Sequence, residues 1–243
     1  ESSMKLKAEH IYKTYGTTTV LEDISFSLEK SQKVGLIGNN GTGKSTLLKI
    51  LAGVIAPDAG EVTMRRSAII GYMPQDTSLV SDETVRDYLH CVSGIKALEE
   101  RLDKSPEALA EYERRNGYTF DHRADIMLAG FSLSEISSDR QINSLSSGQK
   151  SKVFMVGMLL SDPDVMFLDE PTNNLDLSAL IWLEDFLIRS DVACIIVSHD
   201  RFFLDRVVRK IFEIDWHTRT LNITNGRYSD YLAIKEKERA RQW

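Results

Sequence analysis

The sequence predicts an α/β protein with a mixed, mainly parallel core sheet flanked by helices, an antiparallel β portion from its N-terminal third and an inserted helical subdomain. Three observations point there. From Val153 onward, helices alternate with short apolar strands at 165–168, 193–197 and 210–214, the pattern of parallel strands covered on both faces. The first third reads as strands and turns, with alternating or apolar runs at 6–12, 20–28, 33–37, 61–64 and 68–73. Between them, from about Asp82 to Ile136, apolar residues recur at helical spacing.

The elements follow in order. A helix over 44–52 interrupts the early strands, closed by Gly53 where a C-terminal cap prefers glycine. In the middle, Val85, Leu89, Val92, Ile95, Leu98 and Leu102 lie three or four apart. Ser105-Pro106 then supplies an N-cap and first helical residue, and Asn116-Gly117 stops that helix. The next helix is expected to end at Leu128-Ala129 against Gly130, with Ser132 and Glu135 spaced as a capping box. The tail, 229–243, reads as a helix charged nearly all round, which cannot be buried alone and reads as the start of a linker.

Composition excludes several classes. With 42% hydrophobic and 27% charged residues over 243 positions, the chain has the balance of a soluble globular protein. No apolar run approaches the ~20 residues of a membrane-spanning helix, and 4–10 alternates like a strand rather than forming a signal-peptide core. Glu1-Ser2-Ser3 ahead of Met4 reads as an expression scar. Two cysteines make no disulfide framework; Cys194, inside an apolar run, is expected to be a buried, inert thiol, and a cytoplasmic location is the default. Thirty Lys+Arg against 36 Asp+Glu gives a net charge of -6, which leaves room only for a local basic patch on nucleic acid. Arg114-Arg115 and Arg239-Ala240-Arg241 are the candidates, with solvated helix faces the plainer reading of the first.

Gly38-Asn39-Asn40-Gly41-Thr42-Gly43-Lys44-Ser45-Thr46 fits G-x-x-x-x-G-K-[ST] between an apolar strand and a helix. Glycines let the backbone wrap a phosphate chain while loop N–H groups and the helix N-terminus point at it. Lys44 supplies charge at the β- and γ-phosphates, and the Ser45 hydroxyl completes a Mg²⁺ shell. Residues 165–170 form a buried strand ending in two carboxylates: Asp169 to hold Mg²⁺ through water, Glu170 to act as general base. Alone, such an Asp-Glu pair is as well a solvated loop; beside a phosphate loop it marks a P-loop NTPase.

Further segments narrow that class. Leu145-Ser146-Ser147-Gly148-Gln149, opening a helix, resembles the LSGGQ signature of ATP-binding cassette (ABC) proteins; alone it would read as an N-cap turn. Gln75 resembles the Q-loop that reaches Mg²⁺ and the attacking water, and His199 the switch histidine at the γ-phosphate. Tyr15 resembles the aromatic that stacks on adenine, with Tyr12 competing, and Asp176 the D-loop contact to a second subunit. The runs 168–176 and 197–205, with Trp182-Leu183-Glu184 and 226–231, resemble the ABC-F subfamily. Asn174 and Ser147 depart from it, standing where the family often has His and Gly.

The resemblance implies a nucleotide-binding domain over 4–228, with its helical subdomain at about 77–144, and an inter-cassette linker helix beginning at 229. It implies ATP and Mg²⁺ as ligands, and an ATPase that is weak as an isolated cassette. The implied partner is a second cassette, in the same polypeptide or as a homodimer, closing head to tail so that the signature covers the opposite ATP. Many ABC-F members bind the ribosome near the tRNA exit site, so the resemblance implies the ribosome, rRNA and tRNA as partners, in translation regulation or antibiotic resistance, without membrane insertion. The ATPase subunit of a membrane transporter is the alternative. Seventy positions separate Gln75 from Leu145, which leaves room for a short arm within 93–117 or for an ordinary helical subdomain plus a loop. Only 125 positions separate Lys44 from Asp169, too few for the coiled coils of chromosome-maintenance ATPases.

Overall fold

The computed structural model describes residues 3–241, which form two compact units. The first comprises residues up to 75, 164–172 and those from 186 on; the second comprises 76–163 and 173–185.

In the first unit, β1 (Met4–Tyr15), β2 (Thr18–Glu29) and, further along, β4 (Ala59–Met64) make an antiparallel sheet ordered β2-β1-β4. Alternation decides its faces: Leu6, Ala8, Leu21, Ile24, Phe26 and Leu28 point inward. The other sheet contains β3 (Lys33–Ile37), β5 (Ile70–Met73), β6 (Val165–Asp169), β7 (Ala193–Val197), β8 (Lys210–Ile214) and β9 (Leu221–Asn225). Its order is β5-β6-β7-β3-β8-β9, parallel except for the antiparallel β9. Strands β6 and β7 are buried at every position, as near-continuous apolar runs require. Helix α1 (Lys44–Leu51) places Leu47, Leu48 and Leu51 in one core with residues of both sheets, and Phe26 meets Phe212 at 4.8 Å. Gly53, at φ 76°, ends it as expected. The order β6-β7-β3 sets three strand ends side by side, and the chemistry lies there.

The second unit is helical: α2 (Val85–Val92), α3 (Ile95–Glu99), α4 (Pro106–Arg114), α5 (Phe120–Gly130), α6 (Ser147–Leu160) and the first part of α7 (Leu177–Arg189). The apolar period from Val85 to Leu102 is broken by Gly94, whose φ of 79° no continuous helix admits. Ser105 caps α4 as expected, its Oγ accepting the Ala108 N–H at 3.2 Å. Helix α5 ends at Gly130, as expected, and a Cβ there would collide with the Trp182 ring. Ser132 and Glu135 make no capping box, since no helix follows them; Ser132 Oγ donates to Asp176 Oδ1 at 3.2 Å. Segment 93–117 folds onto its own unit through α3 and α4, with Arg115 buried and donating to the Ser93 and Ser161 carbonyls. Arg115 therefore offers nothing to a nucleic acid, and Arg114 pairs with Glu111.

The chain closes on α8 (Arg201–Val207) and α9 (Tyr228–Ala240), both in the first unit, α9 having no buried residue. Residues 242–243 of the expected linker and 1–2 of the expected scar lie outside the described residues. Among the described residues, no helix is long and apolar enough to cross a membrane.

Candidate functional site

The site begins where β3 ends. The chain turns through residues 38–43 into α1, and Gly43 occupies the N-cap at φ 90°. A Cβ there would collide with Val20, so only glycine lets the loop lie against β2. The Lys44 ammonium folds back on the loop, donating to the carbonyls of Gly38 at 2.7 Å and Asn39 at 3.0 Å. Burial pushes its pKa down, while Asp169 and Glu170 pull it up. Thr42 is fully buried under the loop, and its Oγ1 has no hydrogen-bond partner among the described residues.

The next strand end brings the carboxylates. Asp169, the last residue of β6, is buried, and its Oδ2 accepts the Ser45 hydroxyl at 2.6 Å. Glu170 follows in the left-handed region, φ 53°, a conformation that costs on the order of 1–3 kcal/mol outside glycine. Its N–H donates to the Val197 carbonyl at 2.8 Å, which ties the turn to β7. The carboxylate accepts the His199 N–H at 3.2 Å on Oε2, and Oε1 lies 3.1 Å from His199 Nε2. Burial raises the Glu170 pKa and Asp169 adds to the rise, against the pull of the His199 N–H, the His199 ring and Lys44.

Tyr15, Val20, Asn40, Gly41, Gly43, Lys44, Ser45, Thr46, Gln75, Asp169, Glu170, Val197 and His199 line one cleft of about 560 Å³. Tyr15, rather than Tyr12, reaches it, with 52% of its surface exposed and the Lys13 ammonium 5.4 Å from its ring centroid. Gly38 and Asn39 face an adjoining groove. Val20 and Val197 lack any signal in the sequence, because an aliphatic wall looks like any other core strand residue.

The remaining predicted residues belong to the helical unit. Leu145 is buried; Ser146 and Gln149 form a capping box at the start of α6, Ser146 Oγ accepting the Gln149 N–H at 3.2 Å and Gln149 Oε1 the Ser146 N–H at 2.9 Å. Ser147 and Gly148 form its first turn, where N–H groups lack helical partners. Asp176 precedes α7, its Oδ1 accepting the Ala179 N–H at 2.8 Å, and these bonds hold its carboxyl below the usual range.

The residue set fits a magnesium nucleotide. Among the described residues no group of three His, Cys, Asp or Glu could cage a metal by itself. Ser45 and Asp169 offer two hard oxygens side by side, the partial shell that Mg²⁺ completes with phosphate oxygens and water.

The pattern of the family described as "ABC transporter" matches residues 21–173, more than half of the chain. The chain belongs to the ABC transporter family. Its curated relatives include proteins named for antibiotic resistance, for translation and for the ABC transporter F family. It is 37% identical to the tylosin resistance ATP-binding protein TlrC of Streptomyces fradiae, over 99% of this chain and 47% of that protein. It is 34% identical to ABC transporter F family member 2 of Arabidopsis thaliana, over 96% and 38% respectively. With the energy-dependent translational throttle protein EttA of Haemophilus influenzae the identity is 36%, over 90% and 42%. The chain thus spans less than half the length of each of these relatives. A solved ATP-binding subunit of an ABC transporter shares the fold, with a TM-score of 0.72 at 24% identity over 91% of this chain and 90% of that one. As an ABC cassette, the chain carries its loop, its Asp-Glu pair and its histidine in one cleft.

Proposed function

We propose that this chain is the ATP-hydrolysing cassette of an ABC-F protein that works on the ribosome in the cytoplasm. Residues 4–228 are its nucleotide-binding domain, with the helical subdomain at about 77–144, and 229–243 open the linker to a second cassette. The observation that carries the reading is the convergence of Lys44, the Ser45–Asp169 pair and the Glu170–His199 pair on one cleft. The ribosomal role rests on the relatives named for translational throttling and tylosin resistance.

The loop N–H groups and the Lys44 ammonium, which also donates to the Gly38 and Asn39 carbonyls, bind the phosphates. Tyr15 stacks on the base. Ser45, Asp169 and Gln75 would hold Mg²⁺, which would supply positive charge to the phosphates. Glu170 accepts a proton from the attacking water, and His199 orients that carboxylate while reaching toward the γ-phosphate. His199 is 75% exposed and Glu170 5%, so the base is already desolvated while the histidine awaits a second surface. The Leu145–Gln149 signature and Asp176 of another cassette provide that surface, excluding water as the pair closes head to tail. Hydrolysis then lets the two part.

The test is co-sedimentation of the full-length protein with ribosomes, carrying Glu170→Gln and the equivalent change in its second cassette. Pelleting with ATP and not with ADP is expected. No pelleting in either nucleotide would refute the ribosomal role and leave the ATPase subunit of a transporter or a cassette with another partner.

A further inference from the structure

The phosphate loop is gripped from its outer side by a residue that the nucleotide chemistry leaves unused. Arg219 lies in the turn between β8 and β9, and its Nη1 donates to the Gly41 carbonyl at 3.0 Å. That carbonyl shares a peptide with the Thr42 N–H, which donates to the Asn39 carbonyl at 3.1 Å. Both poles of that loop peptide are therefore engaged by groups of this chain itself. The Arg219 guanidinium stacks on Trp216, 4.6 Å from the ring centroid, and a Cβ at Gly41 would lie 4.0 Å from the same ring. Stacking restricts the guanidinium to its plane and so favours the one hydrogen bond it makes to the loop.

The turn behind this contact is built to hold. Asp215 Oδ1 accepts the N–H groups of His217 and Thr218, each at 2.8 Å. The Arg219 N–H donates to the Asp215 carbonyl and the Arg219 carbonyl accepts the Glu22 N–H, both at 3.0 Å. Arg219 itself has φ 61°, in the region where glycine is favoured and a long side chain is strained. Glycine would satisfy that backbone better, so the arginine side chain is not there for the turn.

We propose that Arg219 is a positioning residue for the phosphate loop, fixing the Gly41–Thr42 peptide so that the loop is set before nucleotide arrives. The proposal rests on the reading of the cleft as an ATP site. A preset loop lowers the reorganisation that binding requires. Because the loop holds phosphates common to both nucleotides, ATP and ADP should gain by the same factor, unlike the effect of a group that touches only the γ-phosphate.

The experiment measures MgATP and MgADP affinity by calorimetry for the parent, Arg219→Gly and Arg219→Lys, with thermal melts in the absence of nucleotide. Arg219→Gly suits the backbone, so its melting temperature should stay level or rise while both nucleotides bind roughly tenfold more weakly, the scale of one charged hydrogen bond. Arg219→Lys keeps a donor without the planar stack and should recover part of the loss. A parent that binds neither nucleotide would overturn the ATP reading, and this inference with it. A parent that binds while Arg219→Gly binds equally well would overturn the positioning role alone. Weaker binding accompanied by a lower melting temperature, with no recovery in Arg219→Lys, would overturn it too.

Discussion

Glu170 and His199 hold each other at two points: the His199 N–H donates to Oε2 at 3.2 Å and the ring Nε2 lies 3.1 Å from Oε1. The two residues leave adjacent parallel strands, β6 and β7, and the left-handed backbone at Glu170 turns its carboxylate toward the histidine. Under the proposed reading, the carboxylate is thus oriented by this chain's own residues, and a docking cassette would have only to cover it.

Replacing that base should separate binding from hydrolysis. Glu170→Gln keeps the shape and the acceptor for the His199 N–H, so MgATP affinity should stay within a few-fold while phosphate release falls by about 10²-fold or more. Gel filtration with MgATP should show a trapped, closed dimer. Phosphate release at the parent rate would remove Glu170 as the base.

The same residue should set a pH dependence of stability. Burial raises the Glu170 pKa in the folded chain, so its stabilising contribution is complete below the unfolded pKa and is lost as pH rises through the folded value. Glu170→Gln removes that loss. Its melting temperature should match the parent's near the ordinary carboxylate pKa of about 4 and exceed it increasingly toward neutral pH. In the parent, hydrolysis needs the ionised carboxylate, so its acidic limb should lie above that ordinary value. A constant difference in melting temperature across the range would contradict the raised pKa.

Gly43→Ala should damage the loop and leave the rest of the sheet intact. The φ of 90° and the collision with Val20 cost on the order of 1–3 kcal/mol, read by urea unfolding. Relief of the strain moves the loop away from β2, and MgATP affinity should fall by about tenfold or more. Parent-like affinity in calorimetry would show that the loop tolerates the shift.

Lys33 makes the opposite case, a buried charge that serves the fold alone. Its ammonium donates to the carbonyls of Ser31 at 3.1 Å, Ser190 at 3.0 Å and Val192 at 2.7 Å, and burial lowers its pKa. Lys33→Met strands three carbonyls and should cost about 2–4 kcal/mol in urea unfolding, with nucleotide affinity unchanged. A loss under about 0.5 kcal/mol would mean that water replaces the ammonium.

Local chemistry was legible in the sequence because it is written in contiguous residues. A phosphate loop is nine consecutive positions between strand and helix, and buried parallel strands show as apolar runs, so β3, β6, β7 and α1 could be placed to within a residue or two. Cys194 likewise announced its burial, which pushes its thiol up to about 12. Strand β9 did not, since Leu221–Asn225 is a half-exposed antiparallel edge without an apolar run.

What only the tertiary structure decided depends on residues far apart in the chain. Gly130 announced the end of its helix but not that Trp182, 52 positions later, packs against it. Ser132 looked like a cap and serves Asp176. Arg219 gave no sign of its hydrogen bond to Gly41, 178 positions away, because an arginine in a polar turn carries no pattern. The sequence by itself determined that a phosphate loop, an Asp-Glu pair and a histidine exist at strand ends. The strand order β6-β7-β3 decided that they meet, since adjacency across a sheet is set by hydrogen bonding between strands and not by distance along the chain.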